Sequence, residues 1–127
     1  MESKEPEPLP SEKNLRAHRI VLIPAYNEER FIGSLVLQAR KVAATVIVVD
    51  DGSHDDTARI ARDAGAELVG HETNRGKAAA LNSGFFYIRL MKEEMKDEML
   101  AVVTMDGDSQ HSCRDIPGIP RWISQSP

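Results

Sequence analysis

The chain holds a single cysteine, Cys113, which has no partner for an intramolecular disulfide, so a reducing cytoplasm is the default compartment. No apolar run approaches the ~20 residues of a membrane-spanning helix, and the N-terminus lacks the apolar region of a secretion signal. No cluster of lysine and arginine outweighs its acidic neighbours, and the formal net charge is -4. Nucleic acid is therefore excluded as the main partner, because its backbone needs local neutralisation. No internal repeat divides the sequence. What is present is enough for one domain: 127 residues, 41% apolar and 28% charged. A domain of this size buries roughly two-thirds of the surface its unfolded chain exposes. Any phosphate-bearing ligand would be met among carboxylates, and a divalent cation is the natural way to reconcile those charges.

Residues 1–17 include Glu5, Pro6, Glu7, Pro8 and Pro10 with few apolar side chains, a composition that reads as a flexible tail. Residues 18–127 change to short apolar runs alternating with helical periodicity, the pattern of successive βαβ units. Ile20 to Ile23 reads as a buried strand stopped by Pro24, followed by a helix capped by Asn27, with Glu28 and Glu29 in its first turn and Phe31, Ile32, Leu35, Val36 and Ala39 on one face. Val46 to Val49 is a second strand. It leads to a helix over Ala58 to Ala64, capped by Ser53 or Asp55 and stopped by Gly65. A short strand over Glu67 to Val69 precedes a helix carrying Leu81, Phe85 and Ile88 on one face, with Lys92 to Glu98 as its solvated end. Leu100 to Met105 is the fourth strand. Right-handed crossovers then give an α/β fold: a mainly parallel sheet of order 3-2-1-4 with helices on both faces. In that order the chain reverses direction between strands one and four. A crevice opens at their carboxyl ends, where the loops after strands one, two and four meet.

Those three loops hold the candidate chemistry. Asp106-Gly107-Asp108 puts two carboxylates at a strand end with a glycine between them, and a hard cation, Mg²⁺ or Mn²⁺, relieves their repulsion while leaving coordination positions for phosphates. Gln110 offers a neutral oxygen two residues on, and His111 is close enough in sequence to orient a ligand. An isolated Asp-x-Asp is more often a solvated turn, but its position after a buried strand in this fold favours the metal. Asp50 and Asp51 end strand two, where carboxylates accept hydrogen bonds from ribose hydroxyls or base N–H groups, and one of the pair should point inward. Pro24, Ala25, Tyr26, Asn27 and Glu28 combine a rigid backbone, an aromatic face for a base and a carboxylate. Asn74-Arg75-Gly76-Lys77 lacks the spacing of a phosphate loop; Lys77 either steadies a diphosphate or faces solvent. His18, His54 and His71 show no ligand spacing and are given no role. Trp122, beyond two prolines, has no readable role.

Four segments in order, IPAYNEE at Ile23 to Glu29, VVDDGSHDDT at Val48 to Thr57, NRGKAAALNSG at Asn74 to Gly84 and MDGDSQH at Met105 to His111, resemble the family 2 glycosyltransferases of the GT-A fold, especially polyprenyl-phosphate sugar transferases such as the dolichol-phosphate mannose synthases. The resemblance covers residues 19 to 117 or so. It implies that Pro24, Tyr26, Glu28, Val49 and Asp51 hold the nucleoside of a UDP- or GDP-sugar. Asp106, Gly107 and Asp108 would carry the metal and diphosphate, with Gln110 as a third metal ligand. It further implies transfer with inversion to a polyprenyl phosphate or saccharide acceptor, at a site that could lie at the membrane face.

The resemblance fails after the acidic motif. Family members continue into a long helix and further strands that bear the carboxylate base and the acceptor site. Here Ser112, Cys113, Pro117, Gly118 and Pro120 interrupt the helix, and Asp115 lies too near the metal motif to be the base, so no catalytic residue is assigned. The expectation is a donor-binding half that lacks its acceptor part. It either works as a non-catalytic nucleotide-sugar module, or needs a complementing C-terminal half, or self-associates through apolar surface that nothing covers. A phosphotransfer domain built on Asp106 is the remaining class. It wants a Thr or Val where Gln110 stands and its acidic motif on the first strand.

Overall fold

The computed structural model describes residues 16–95 and 101–105. The tail over residues 1–15, the motif Asp106, Gly107, Asp108, Gln110 and His111, and everything after it lie outside the described residues.

Among the described residues seven elements alternate: β1 (Arg19–Ala25), α1 (Ile32–Ala39), β2 (Thr45–Asp50), α2 (Thr57–Asp63), β3 (Glu67–Gly70), α3 (Lys77–Met95) and β4 (Ala101–Thr104). The sheet has order β3-β2-β1-β4 and every pairing is parallel, as the alternation of strand and helix patterns requires. Because side chains alternate across a strand, each apolar run splits between two cores. Val21, Ile23, Val46, Val48 and Val103 face α1 and α2, packing with Ile32, Leu35, Val36 and Ala61. Ile20, Leu22, Ile47 and Val49 face α3, packing with Ala80 and Ile88. Continuous aliphatic runs are the mark of strands buried on both sides.

Several local expectations are corrected. Pro24 does not stop β1; it lies inside the strand, opposite Val49. The ladder shows why it is tolerated. Met105 N–H donates to Leu22 O on the β4 side, while Asp51 N–H donates to Ala25 O on the β2 side. Pro24, two residues from Leu22, therefore directs its missing donor towards β4, beyond the last pairing of Leu22 with Thr104.

Asn27 is not a helix cap. It adopts a left-handed φ of 51°, and α1 begins only at Ile32, behind an N-cap Phe31 that has no side-chain cap bond. Glu28 and Glu29 accordingly lie outside the first turn, which contains no acid. For α2 the N-cap is Asp56, which makes no side-chain cap bond; Asp55, one residue before it, accepts the Thr57 amide at 3.0 Å, whereas Ser53 is used elsewhere. Gly65, with φ +111°, follows the end of that helix, and Ala66 N–H returns to Ala61 O. On α3 the buried stripe is Ala80, Gly84 and Ile88, so Phe85, expected on the core face, is 41% exposed. Gly84 lets this helix approach β1. A Cβ there would sit 2.4 Å from Leu22 Cδ1, and Leu22 is fully buried. That close approach rotates the neighbouring Phe85 outward.

Candidate nucleotide site

The carboxyl ends of β1 and β2 and the start of α3 enclose a cavity of about 260 Å³ lined by Pro24, Ala25, Tyr26, Glu28, Asp51, Asn74, Gly76, Lys77 and Ala80. It lies at the carboxyl edge of the parallel sheet, the edge at which open α/β sheets take ligands, beside β1, whose other neighbour β4 marks the reversal of strand order.

Backbone and side-chain bonds strap the β1 and β2 loops together. Asn27 N–H donates to Ser53 Oγ at 2.8 Å, and His54 N–H returns to Asn27 Oδ1 at 2.9 Å. Glu28 N–H donates to Thr57 Oγ1 at 2.8 Å, and the Thr57 hydroxyl in turn donates to Asp55 Oδ1. Glu29 is tied twice, through its amide to Asp55 Oδ2 at 3.3 Å and through its Oε1, which accepts from Asp56 N–H at 3.1 Å. Thr57 is fully buried with both hydroxyl functions used, so the loop carrying Tyr26 and Glu28 is held by satisfied polar groups rather than by packing. Tyr26 keeps 40% of its surface exposed at the cavity mouth. Burial pushes the Asp55 carboxyl up, but the Thr57 hydroxyl, the Thr57 amide and the Glu29 amide outweigh it and hold the group below the ordinary aspartate value.

Of the two consecutive acids, Asp51 points into the cavity, while Asp50 turns to accept Ser53 N–H at 3.2 Å. Gly52, between them and Ser53, has φ +81°, and a Cβ would lie 2.5 Å from the Thr73 carbonyl carbon, so only glycine lets the 73–76 loop close over this turn. Closure brings three donors to Asp51. Oδ1 accepts from the His71 Nδ1 position at 2.8 Å and from Arg75 N–H at 2.9 Å; Oδ2 accepts from Gly76 N–H at 2.9 Å. Burial alone would raise the Asp51 carboxyl. The Arg75 amide, His71 and the Gly76 amide more than offset that, and the net direction is downward, to a carboxylate fixed in its charged form. A carboxylate has about four acceptor positions. With three filled, one on Oδ2 is left for a ligand donor.

The Asn74 to Lys77 loop is thereby explained. The Arg75 and Gly76 amides, the kind of donors a phosphate loop uses, are already paired with Asp51. Lys77, the first residue of α3, is exposed at the cavity edge. Val49, implied to touch the nucleoside, has its side chain fully buried on the α3 face of the sheet and is not among the residues that line the cavity.

His71, given no role from the sequence, is the residue that reading missed. Its side chain and that of Asp51 are each 5% exposed, and its Nε2 lies 2.8 Å from Ser83 Oγ on α3. No ligand spacing could reveal it, because its partners come from two other elements. Among the described residues no three His, Cys, Asp or Glu side chains cluster to hold a metal. Asp106, Asp108 and Gln110, to which the metal was assigned, lie outside them. No described helix is long and apolar enough to cross a membrane.

A parallel sheet of order 3-2-1-4 with a carboxylate-lined cavity at the carboxyl ends of β1 and β2 places the chain among the open α/β folds. Within that class the family is specific: residues 20–126 match the model of glycosyl transferase family 2, and the chain belongs to that family. An undecaprenyl-phosphate 4-deoxy-4-formamido-L-arabinose transferase of Aeromonas hydrophila is 38% identical over 111 residues, 76% of this chain and 31% of the relative. Protein MJ1222 of Methanocaldococcus jannaschii is 36% identical over 104 residues, 81% of this chain and 40% of the relative. The chain thus spans under half the length of these curated relatives. Among solved structures, glucosyl-3-phosphoglycerate synthase from Mycobacterium tuberculosis in complex with Mn²⁺, UDP and glucosyl-3-phosphoglycerate superposes with a TM-score of 0.56 at 25% identity, over 82% of this chain and 40% of that one. The same enzyme has been solved with Mg²⁺ and UDP, with a TM-score of 0.56 over 80% of this chain and 38% of that one.

Proposed function

We propose that this chain is the donor-binding part of a metal-dependent, inverting glycosyltransferase, and that the cavity takes the nucleoside of a UDP- or GDP-sugar. One observation carries the reading: Asp51, held charged by three donors, lines a cavity edged by Pro24, Tyr26 and Glu28, and of about four acceptor positions on a carboxylate one is left over. A base N–H or ribose hydroxyl matches that acceptor, and Tyr26 offers an aromatic face beside it. At about 260 Å³ the cavity falls just below the usual range for ligand clefts (roughly 300–1,000 Å³). It suits a nucleoside, with the diphosphate and sugar extending past Lys77 towards the chain leaving Met105. Asp106 and Asp108, with Gln110, would hold Mg²⁺ or Mn²⁺ there, consistent with the metals in the structural relatives. When bound, such a cation neutralises the departing diphosphate.

The named relatives support an acceptor that carries a phosphate, a polyprenyl phosphate at the membrane face being the reading nearest to the sequence matches. Phe86 and Leu90 on α3, 59% and 48% exposed, support contact with a second copy or with a complementing C-terminal half. Titration calorimetry of the chain with UDP and GDP, with and without Mn²⁺, tests the donor reading, and a transfer assay follows. Metal-dependent binding of one nucleotide that is lost in Asp51→Ala is the expected result. Binding without turnover makes the chain a nucleotide-sugar module, and absence of binding to either nucleotide with metal present rejects the proposal.

A further inference from the structure

We propose that His71 is a positioning residue for nucleotide binding: through Nδ1 it fixes the rotamer of Asp51, and through Nε2 and Ser83 it locks that carboxylate to helix α3. The inference rests on the donor-site reading above and adds a residue to it.

The geometry has one consistent hydrogen assignment for a neutral imidazole. Asp51 Oδ1, as a carboxylate oxygen, can only accept, so the 2.8 Å contact requires a proton on His71 Nδ1. Nε2 then carries a lone pair, and Ser83 Oγ at 2.8 Å must donate to it. The chain of donation therefore runs Ser83 hydroxyl, imidazole, carboxylate, and ends in the cavity. His71 is itself anchored from the other side, because its backbone N–H donates to Asp50 O at 2.9 Å. Each member is fixed by an element different from the next: Asp51 follows β2, His71 follows β3 and Ser83 lies within α3.

The consequence is for the free lone pair of Asp51. The Arg75 and Gly76 amides sit on a loop, whereas His71 is a buried ring braced by a helix. Without the ring one of the three donors that hold Asp51 is lost and the carboxylate is freer to turn about its Cα–Cβ and Cβ–Cγ bonds, so the acceptor aimed at the ligand is no longer preset. A donor lost from a carboxylate and a loosened helix α3, whose first residue Lys77 flanks the same cavity, both weaken ligand binding. A purely structural histidine would lower stability and leave the affinity of the folded molecules unchanged.

Two measurements on the full chain test this. Long-range ¹H–¹⁵N correlation spectra of the unliganded protein at about pH 8, above the ordinary histidine range, report the tautomer of each imidazole. His71 is expected as the Nδ1–H form, and in Ser83→Ala its Nε2 signal shifts. Calorimetry with UDP and Mn²⁺ is then compared across His71→Ala, His71→Asn and Ser83→Ala. The alanine variant is expected to bind about tenfold more weakly. Asparagine, whose amide can stand in for Nδ1–H, recovers most of that loss, and Ser83→Ala loses a few-fold. An Nε2–H tautomer for His71, or equal affinity in native, His71→Ala and His71→Asn proteins, overturns the proposal. If the native chain binds no nucleotide, the donor-site reading fails, and the tautomer alone then decides whether His71 orients Asp51.

Discussion

The two faces of the sheet are built differently. Beneath α1 and α2 the strands meet a broad aliphatic layer, from Val21 and Ile23 to Leu35, Val36 and Ala61, with Val42, Ile60 and Leu68 around its rim. Beneath α3 the apolar layer formed by the described residues is thinner: Ile20, Leu22, Ile47 and Val49 meet a helix whose buried stripe contains an alanine and a glycine. That helix is held at its start by polar bonds, from Asp51 through the Arg75 and Gly76 amides and from His71 to Ser83, and further along by Tyr87, which donates to Glu67 at 2.6 Å. One face supplies stability. The other spends part of its area on oriented polar groups, and the cavity lies on that side, as expected where ligand recognition competes with packing.

Substitutions can break or sharpen this contrast. The largest effect should come from Ile23→Ala on the α1/α2 face. Ile23 is fully buried in the middle of β1, so the loss is about 3–5 kcal/mol of unfolding free energy, measured by urea denaturation, with nucleotide affinity of the remaining folded protein unchanged. Gly84→Ala on the α3 face should cost less, about 1–3 kcal/mol, since Leu22 must move. It should also weaken nucleotide binding, because it pushes away the helix whose start walls the cavity. Comparable affinity in both variants would show that the two faces are not specialised as argued.

Thr57→Val removes an acceptor from Glu28 N–H and a donor to Asp55, at a cost of about 1–2 kcal/mol. Its signature is faster amide exchange at Glu28, with little change on the α3 face. Acid should act through the same loops. Asp51 and Asp55 are both depressed in the folded state, so their stabilisation is complete above the unfolded aspartate value of about 3.9 and is lost as pH falls through their lower folded values. A stability profile flat above about pH 5 and falling below about pH 4 is expected. Asp51→Asn should flatten the fall, and an unchanged acid limb in that variant would show that Asp51 does not contribute. The smallest effect belongs to Arg59→Ala. Its pairs with Asp56 at 3.0 Å and Asp63 at 3.5 Å are exposed on α2, and no measurable change in Tm is expected.

Much of this architecture was legible from periodicity. The aliphatic runs at Ile20, Val46 and Val102 and the intervening helical spacing led to the parallel order β3-β2-β1-β4, because right-handed crossovers leave few alternatives. Asp51 and Lys77 were legible as strand-end and helix-start residues. The errors were those of local chemistry overridden by partners remote in sequence. Asn27 and Ser53 have the side chains of helix caps, yet they bond to each other's loops across 26 residues. Phe85 has the spacing of a core residue, but the close approach at Gly84 turns it outward.

What the residues determined by themselves is therefore the set of elements and the edge at which their acids emerge, since both follow from short-range periodicity and from the fixed hand of the βαβ turn. What only the tertiary structure decided is the state of the acid that matters. Asp51, already singled out by the sequence, is kept charged, held by three donors and braced by a histidine that no motif marks. Those donors come from residues 20 to 25 positions away. Their convergence depends on how β3 and α3 pack against β2, a long-range geometry that no local pattern encodes.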